Sequence, residues 1–328
     1  MGKDASTVSR ALDPTKAHLV NQATLALILE TAGRMGYRGD RVAGALRRGT
    51  TGTVGVVVAD LANPFIAPVV HGITSAISSE NLVAMVVETN DDHVQMESCL
   101  DHLLSRRVDA MIVAGARFGD QAALEAASRH AAVILAVRGL PDCQLPQVLH
   151  DDHGGGRLAA RHLLHLGHTR LAELRGPDDV GNFVARHQGF SSACAEAGVS
   201  VVDLPEIGER PTREEGERLA GLLLDRSNSD LPTAVFVHND LMALGALSVF
   251  KAHGIKCPED LSIVGYNDSP TIDQVDPPLT SVAYPGIAIG KAAGALAIAI
   301  IAGVEGAASG NLLPSSLVER ASTSTPRR

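Results

Sequence analysis

The chain has 328 residues, 45% of them hydrophobic and 20% charged, with a formal net charge of −9. That is the composition of an ordinary globular protein, long enough for two lobes and an appendage, and it excludes disordered, collagenous and disulfide-scaffold chains. The charge is uneven: residues 1–51 hold eight Lys/Arg against four Asp/Glu, or +4, which leaves −13 on the remainder.

A basic arm on an acidic body suits a polyanion bound at one end only, although a solvated helix face would carry the same charges. The arm opens with Gly2-Lys3-Asp4-Ala5-Ser6-Thr7-Val8-Ser9-Arg10-Ala11-Leu12, which reads as the turn and second helix of a helix-turn-helix. Such a motif braces its second helix with a first. The sequence as written leaves no room for one, so about fifteen residues of first helix are expected to be missing. Gln22–Met35 has Leu25, Ile28, Leu29 and Ala32 at helical spacing and stops at Gly36. Gly39–Arg48 follows as a short Arg-rich segment, a linker or a helix that forms only against DNA.

From residue 53 the pattern alternates. Strands are expected at Thr53–Ala59, Val83–Glu88, Val108–Ala114 and Ala132–Val137, with helices at Ile66–Ser79, His93–Ser105 and Asp120–Arg129. The series then restarts. Helices at Gly154–Leu166, Phe183–Glu196, Arg213–Asp225 and Asp240–Ala252 are interleaved with strands at Leu171–Leu174, Val201–Leu204, Ala234–Val237 and Leu261–Val264. Alternation of this kind means βαβ units and parallel sheets covered on both faces. Two series imply two α/β lobes, with ligand in the cleft beyond the strand ends. Polar residues at those ends are Asp60, Asn63, Asp151, Asn239 and Asn267. The Ala/Ile-rich stretch Ile287–Ala302 is broken by Gly290, Lys291 and Gly294 and reads as a buried helix.

Other motifs lead nowhere. Cys99, Cys143, Cys194 and Cys257 form no CxxC pair, which suits reduced thiols in the cytoplasm. No apolar run is long enough to span a bilayer, and the N-terminus lacks a secretory signal. His162, His165 and His168 recur every three residues, but no carboxylate or Cys completes a metal site. The Gly286–Ala292 run lacks P-loop spacing, Gly154-Gly155-Gly156 lacks dinucleotide spacing, and there is no GxSxG. Nothing points to an enzyme or a cofactor.

Four blocks, in order, resemble the LacI/GalR family of bacterial transcription regulators. They are Ser6-Thr7-Val8-Ser9-Arg10-Ala11-Leu12 with Gly36-Tyr37-Arg38; Thr50 to Phe65, which contains Asn63-Pro64-Phe65; His162 to His168 with Arg186-His187-Gln188-Gly189-Phe190; and Asn239 to Gly245 with Val264-Gly265-Tyr266-Asn267-Asp268 and Pro278-Leu279-Thr280-Ser281-Val282. The resemblance runs from about residue 2 to Thr323. It implies an α/β protein with two doubly wound parallel-sheet lobes, periplasmic-binding-protein-like, behind a small all-α DNA-binding headpiece. The implied domains are a partial headpiece at 1–38, a hinge helix or linker at 39–51, an N-terminal lobe at 52–150 plus 282–308, and a C-terminal lobe at 151–281 plus 309–323. Crossovers between the lobes would fall near 150–153, 279–282 and 308–311.

By the same resemblance the chain is a dimeric, effector-responsive repressor of operator DNA, without membrane association. A sensor or receptor that no longer binds DNA is the alternative. DNA contacts fall to Ala5, Ser6, Thr7, Ser9, Arg10, Tyr37, Ala43, Leu46 and Arg47, with Leu46 as a minor-groove wedge. Asp40 and Gly44 depart from the usual hinge Asn and Arg, and Gly44 weakens a helix by about 1 kcal/mol relative to Ala. Effector contacts fall to Asp60, Asn63, Phe65, Ile66, His150, Asp151, Arg186, Arg210, Asn239 and Asn267. Each Asn or Asp could equally cap a turn. With no Trp and 3% aromatics, stacking on a sugar face is limited. If Arg186 and Arg210 both reach the cleft, a sugar acid is favoured over a neutral sugar.

Overall fold

The computed structural model describes residues 4–12, 16–37, 50–202, 204–227, 231–304 and 311–327. The chain divides into two units, Met1–Thr51 and Gly52–Arg328.

In the first unit, α1 (Ala5–Ala11) is capped by Asp4, whose carboxylate accepts from the Ser6 N–H at 3.1 Å. Helix α2 (Gln22–Arg34) is capped by Asn21, which accepts from the Ala23 N–H at 2.9 Å. Both caps satisfy an N–H that the first helical turn cannot. Gly36, at φ +63°, ends the second helix. A 3-10 turn (Ala17–Leu19) joins the two helices. Ala11, Ile28 and Thr31 are buried, whereas Leu29, expected on the inner stripe, is 50% exposed.

The second unit contains two six-stranded sheets. The first runs in the order β11-β5-β4-β3-β1-β2, from β1 (Thr53–Val58), β2 (Val83–Glu88), β3 (Ala110–Val113), β4 (Ala132–Ala136), β5 (Gln147–His150) and β11 (Asn311–Leu313). The second runs β12-β10-β9-β8-β6-β7, from β6 (Arg170–Leu174), β7 (Ser200–Val202), β8 (Ala234–Val237), β9 (Ser262–Asn267), β10 (Thr280–Ala283) and β12 (Ser316–Val318). All pairings are parallel except β10 with β12. The central strands are buried almost throughout, so they read as continuous Val/Ile/Ala runs without alternation.

Helices α3 (Ile66–Ser78), α4 (His93–Ser105), α5 (Gln121–Ser128) and α10 (Gly286–Ile301) serve the first sheet; α6 (Asp152–His165), α7 (Gly181–Glu196), α8 (Arg213–Ser227) and α9 (Asp240–Ala252) serve the second. Three helix pairs cross on facing glycines. A Cβ on Gly72 would lie 2.3 Å from the Ile287 carbonyl, and one on Gly290 2.1 Å from that of Val69. Gly156 and Gly189 do the same for α6 and α7, and Gly216 and Gly245 for α8 and α9. Glycine lets the backbones touch and seats each pair close on its sheet.

The lobe boundaries differ from expectation at two of three crossovers. The first falls between β5 and α6, at His150–Asp152. The second falls at Tyr284–Pro285, because β10 through Ala283 pairs with β9 in the second sheet; residues 282–283 therefore do not belong to the first lobe. The third falls at Pro314–Ser315, because β11 pairs with β5 in the first sheet; residues 311–313 therefore do not belong to the second. Pro285 and Pro314 lack the N–H that would extend a ladder, and each stands where the chain leaves its sheet.

His162 Nε2 lies 2.9 Å from Thr323 Oγ1, while His168 bonds Thr233 Oγ1 and the Ser324 carbonyl at 2.8 Å. Two of the three periodic histidines thus hold the C-terminal segment, and burial lowers both pKa values. Among the described residues no group of three His, Cys, Asp or Glu is placed to hold a metal, and no helix is long and apolar enough to cross a membrane.

Candidate functional site

The C-terminal ends of parallel strands, with the loops behind them, form the ligand side of such sheets. Here these ends from both lobes enclose one cavity of about 180 Å³. The first lobe contributes Asp60, Asn63, Phe65 and Ile66 after β1, Asn90 and Asp91 after β2, and Val137 and Arg138 after β4. The second contributes Asn182, Phe183 and Arg186 from α7, Arg210 to Thr212 before α8, Asn239 after β8, and Asn267 from β9.

Arg186 is the central cation and is 1% exposed. Its Nε donates to Asp152 Oδ1 at 2.8 Å and its Nη1 to the His238 carbonyl at 2.5 Å. The guanidinium lies over the Tyr266 ring, 3.6 Å from the centroid. Tyr266 can approach because residue 155 is glycine; a Cβ there would sit 2.1 Å from the phenol oxygen. Burial alone would push the Arg186 pKa down, but Asp152, Tyr266 and Tyr284 reverse it, so the group stays charged. It is the core of the site rather than a surface salt bridge.

Beneath Arg186 lies a network that sequence reasoning missed. The Gly176 N–H donates to His238 Nδ1 at 3.1 Å, so Nε2 carries the proton and donates to Glu173 Oε1 at 2.7 Å. His187 Nδ1 bonds the other Glu173 oxygen at 2.7 Å. Burial pushes the Glu173 carboxyl up, but the two histidine bonds outweigh it and the group stays ionised. Desolvation lowers the His238 pKa despite that partner. Glu173 stands inside an apolar-looking strand, and its only sequence signal is a lone acid among Leu and Ala.

The polar wall divides into used and unused groups. Asn239 is spent on structure: its Oδ1 caps α9 at the Met242 N–H (2.7 Å) and its Nδ2 donates to the Pro211 carbonyl (3.0 Å). Asp60 Oδ1 accepts from the Ala62 N–H at 2.7 Å, and Asn63 Oδ1 from the Phe65 N–H at 3.2 Å. By contrast, Asn182 Oδ1 and Asn267 Oδ1 are buried with no partner. An orphaned buried acceptor costs about 1–3 kcal/mol unless a ligand or water donates to it.

Arg138 is bonded to Asp91, and Arg210 donates to the Asn90 carbonyl. Burial pushes Asp91 up, but Arg138, then Arg117 and Arg210, bring it below the usual carboxylate range. Three arginines (138, 186, 210) and two aspartates (60, 91) line the cavity, and a third aspartate, 152, pairs with Arg186 from behind, so the charges are equal in number.

Two of the ten expected effector residues, His150 and Asp151, do not line this cavity. His150 is buried at the first crossover, 3.3 Å from Tyr266 Oη and 2.9 Å from Ser315 Oγ. Asp151 caps α6, accepting from the Gly154 N–H at 2.8 Å. Both border a second cavity of about 380 Å³ that shares Val137 and Asn182 with the first. The carboxylate that reaches Arg186 comes one residue later, from Asp152, because the cap turns Asp151 back onto its own helix. Asn90, Asp91, Arg138, Asn182, Phe183 and Thr212 line the cavity without having been expected. Phe65 and Phe183 give it two phenyl groups, more aromatic surface than composition suggested.

In the first unit, Ala5, Ser6, Ser9 and Arg10 are exposed on α1, Thr7 is half-buried and Tyr37 is 55% exposed. Ala43, Leu46 and Arg47, with Asp40 and Gly44, lie outside the described residues.

Residues 160–323 match the model of a periplasmic binding protein-like domain. The chain is 31% identical over 320 residues to the HTH-type transcriptional repressor CytR of Escherichia coli (strain K12), covering 97% of this chain and 92% of the relative. It belongs to the LacI/GalR family. Two solved members are similar along the whole chain. A CelR–cellobiose complex has a TM-score of 0.76 at 30% identity, covering 98% of this chain and 96% of that one. The lac repressor dimer bound to operator and the anti-inducer ONPF has a TM-score of 0.86 at 25% identity, with the same coverage. This LacI/GalR chain is accordingly a transcription regulator and not an enzyme, with a helical headpiece before two parallel-sheet lobes.

Proposed function

We propose that this regulator binds operator DNA as a dimer, acts as a repressor, and changes its DNA affinity when a neutral, hydroxyl-rich molecule of sugar size fills the interlobe cavity. The observation that carries the effector reading is the state of the polar wall. Each arginine there already has a carboxylate or carbonyl partner, whereas two buried amide oxygens await donors. A neutral polyol supplies those donors without adding charge, while an anion would bring an unmatched charge into a balanced site. Arg186 and Arg210 both reach the cavity, but their partners remove the preference for a sugar acid.

DNA contact is assigned to the exposed face of α1 (Ala5, Ser6, Ser9, Arg10), with Thr7, Tyr37 and the hinge residues Ala43, Leu46 and Arg47. Arg10 suits guanine or phosphate. Effector contact is assigned to Asp60, Asn63, Phe65, Ile66, Asn182, Phe183, Arg186, Arg210 and Asn267. Control follows from linkage, because an effector that binds one lobe arrangement better shifts the population towards it.

Calorimetric titration of a panel of neutral pentoses, hexoses and disaccharides against the matching uronic and aldonic acids tests the effector class. A neutral member is expected to bind, and Asn182→Ala to weaken it about tenfold by removing one buried hydrogen bond. Binding confined to the acids overturns the reading.

A further inference from the structure

The two lobes also meet through a charged contact that effector binding does not explain. Arg117, after β3 in the first lobe, reaches Asp179, before α7 in the second. Its Nε donates to Oδ2 at 2.8 Å and its Nη2 to Oδ1 at 2.7 Å, a two-bond fork. Beside it the Phe118 N–H donates to the Asp179 carbonyl at 2.9 Å, a backbone bond between lobes. The free edge of the same guanidinium, Nη1, lies 3.9 Å from Asp91 in its own lobe. Asp91 lines the effector cavity.

We propose that Arg117 is a two-position latch: it holds the lobes closed through Asp179 and falls back on Asp91 when they part. The side chains of Arg117 and Asp179 are 13% and 36% exposed, so the pair is partly wet and breakable. Arg117 keeps a carboxylate within reach in both arrangements, so neither strands a buried charge; this is the requirement for a bistable element. Asp91 ties the latch to the ligand. A hydroxyl donating to Asp91 competes with Arg117 for its second seat, leaves Asp179 as the better partner, and so favours closure.

The coupling rests on the cavity being the effector site, but the latch does not, and it can be read with neither ligand nor DNA present. The experiment is amide hydrogen exchange on the full chain at low salt, following the Phe118 N–H. Its acceptor is a backbone carbonyl, which Asp179→Asn leaves in place. That substitution is expected to speed exchange at Phe118 about fivefold, as for loss of a partly exposed ion pair, and Asp179→Glu to stay within about twofold of wild type. Raising NaCl to about 0.5 M, where the Debye length is about 4 Å, should move wild type towards the Asn variant. Amides in β3 and β9 should not change. Equal exchange at Phe118 in wild type and Asp179→Asn overturns the latch. So does a uniform acceleration at Phe118, β3 and β9, because the pair would then support the fold and not the closure.

Discussion

Arg186 and Asp152 form a buried pair whose partners were half visible in the sequence. The arginine stood in a recognisable block; Asp152 was not singled out, because the neighbouring Asp151 has the same side chain and only the fold shows that one caps the helix while the other accepts from Arg186. Removing one partner of a buried pair is costly, so Arg186→Ala is expected to lower unfolding stability by about 3–5 kcal/mol in urea titrations, by leaving Asp152 alone. Asp240 poses a different balance. Its carboxylate accepts from the Ser269 N–H and Ser281 Oγ at 2.7 Å each, yet full burial dominates and raises its pKa from 3.8 to about 6. A raised carboxylate favours the folded state at low pH, where the native chain holds the proton more tightly than the unfolded one. That contribution is full below pH 3.8 and is lost as the pH rises through about 6. Urea titrations at pH 4.5 and 7.5 should therefore show wild type losing stability relative to Asp240→Asn on going to the higher pH, by about 2 kcal/mol. A constant difference between the two proteins would refute the shift.

Most helices and strands were legible because their signals are local. Val/Ile runs bounded by Asn, Pro and Gly marked the strands, and longer runs of helix formers between them marked the helices, whereas the caps Asp92, Asn239 and Asp151 show only in the structure. The crossovers were less legible. Whether a three-residue strand such as β11 joins one sheet or the other depends on pairing with β5, about 160 residues away, and no local pattern encodes that. The facing glycines are similar: Gly189 looks like a helix weakness until α6 is seen against it. Gly189→Ala would place a Cβ 1.9 Å from the His153 carbonyl and force the helices apart. A loss of about 1–3 kcal/mol is expected by thermal or urea unfolding, as for overpacked cores. Gly221 lies in α8 with nothing within 4 Å of its added Cβ. Gly221→Ala should instead stabilise by about 0.5–1 kcal/mol, so the pair of variants separates close approach from helix propensity. Destabilisation by both would count against the packing account.

At the scale of the molecule, family membership and architecture follow from a resemblance along the whole chain, whereas the chemistry of the cavity is particular to these residues. The balance of three arginines against three aspartates joins loops from both lobes, and a list of site positions does not reveal it. It gives Arg186 and Arg138 carboxylate partners and stands beside two buried amide oxygens without partners, which is the basis of the neutral-ligand proposal. The central claim is that filling this cavity alters DNA affinity. Fluorescence anisotropy of the full chain on labelled DNA from upstream of its own gene, at fixed salt, tests it directly, with and without the neutral sugar that calorimetry selects. The sugar is expected to change the DNA dissociation constant by at least about fivefold, and Asn267→Ala to abolish the change while leaving sugar-free affinity intact. A sugar that binds the cavity and leaves the DNA dissociation constant unchanged would contradict it.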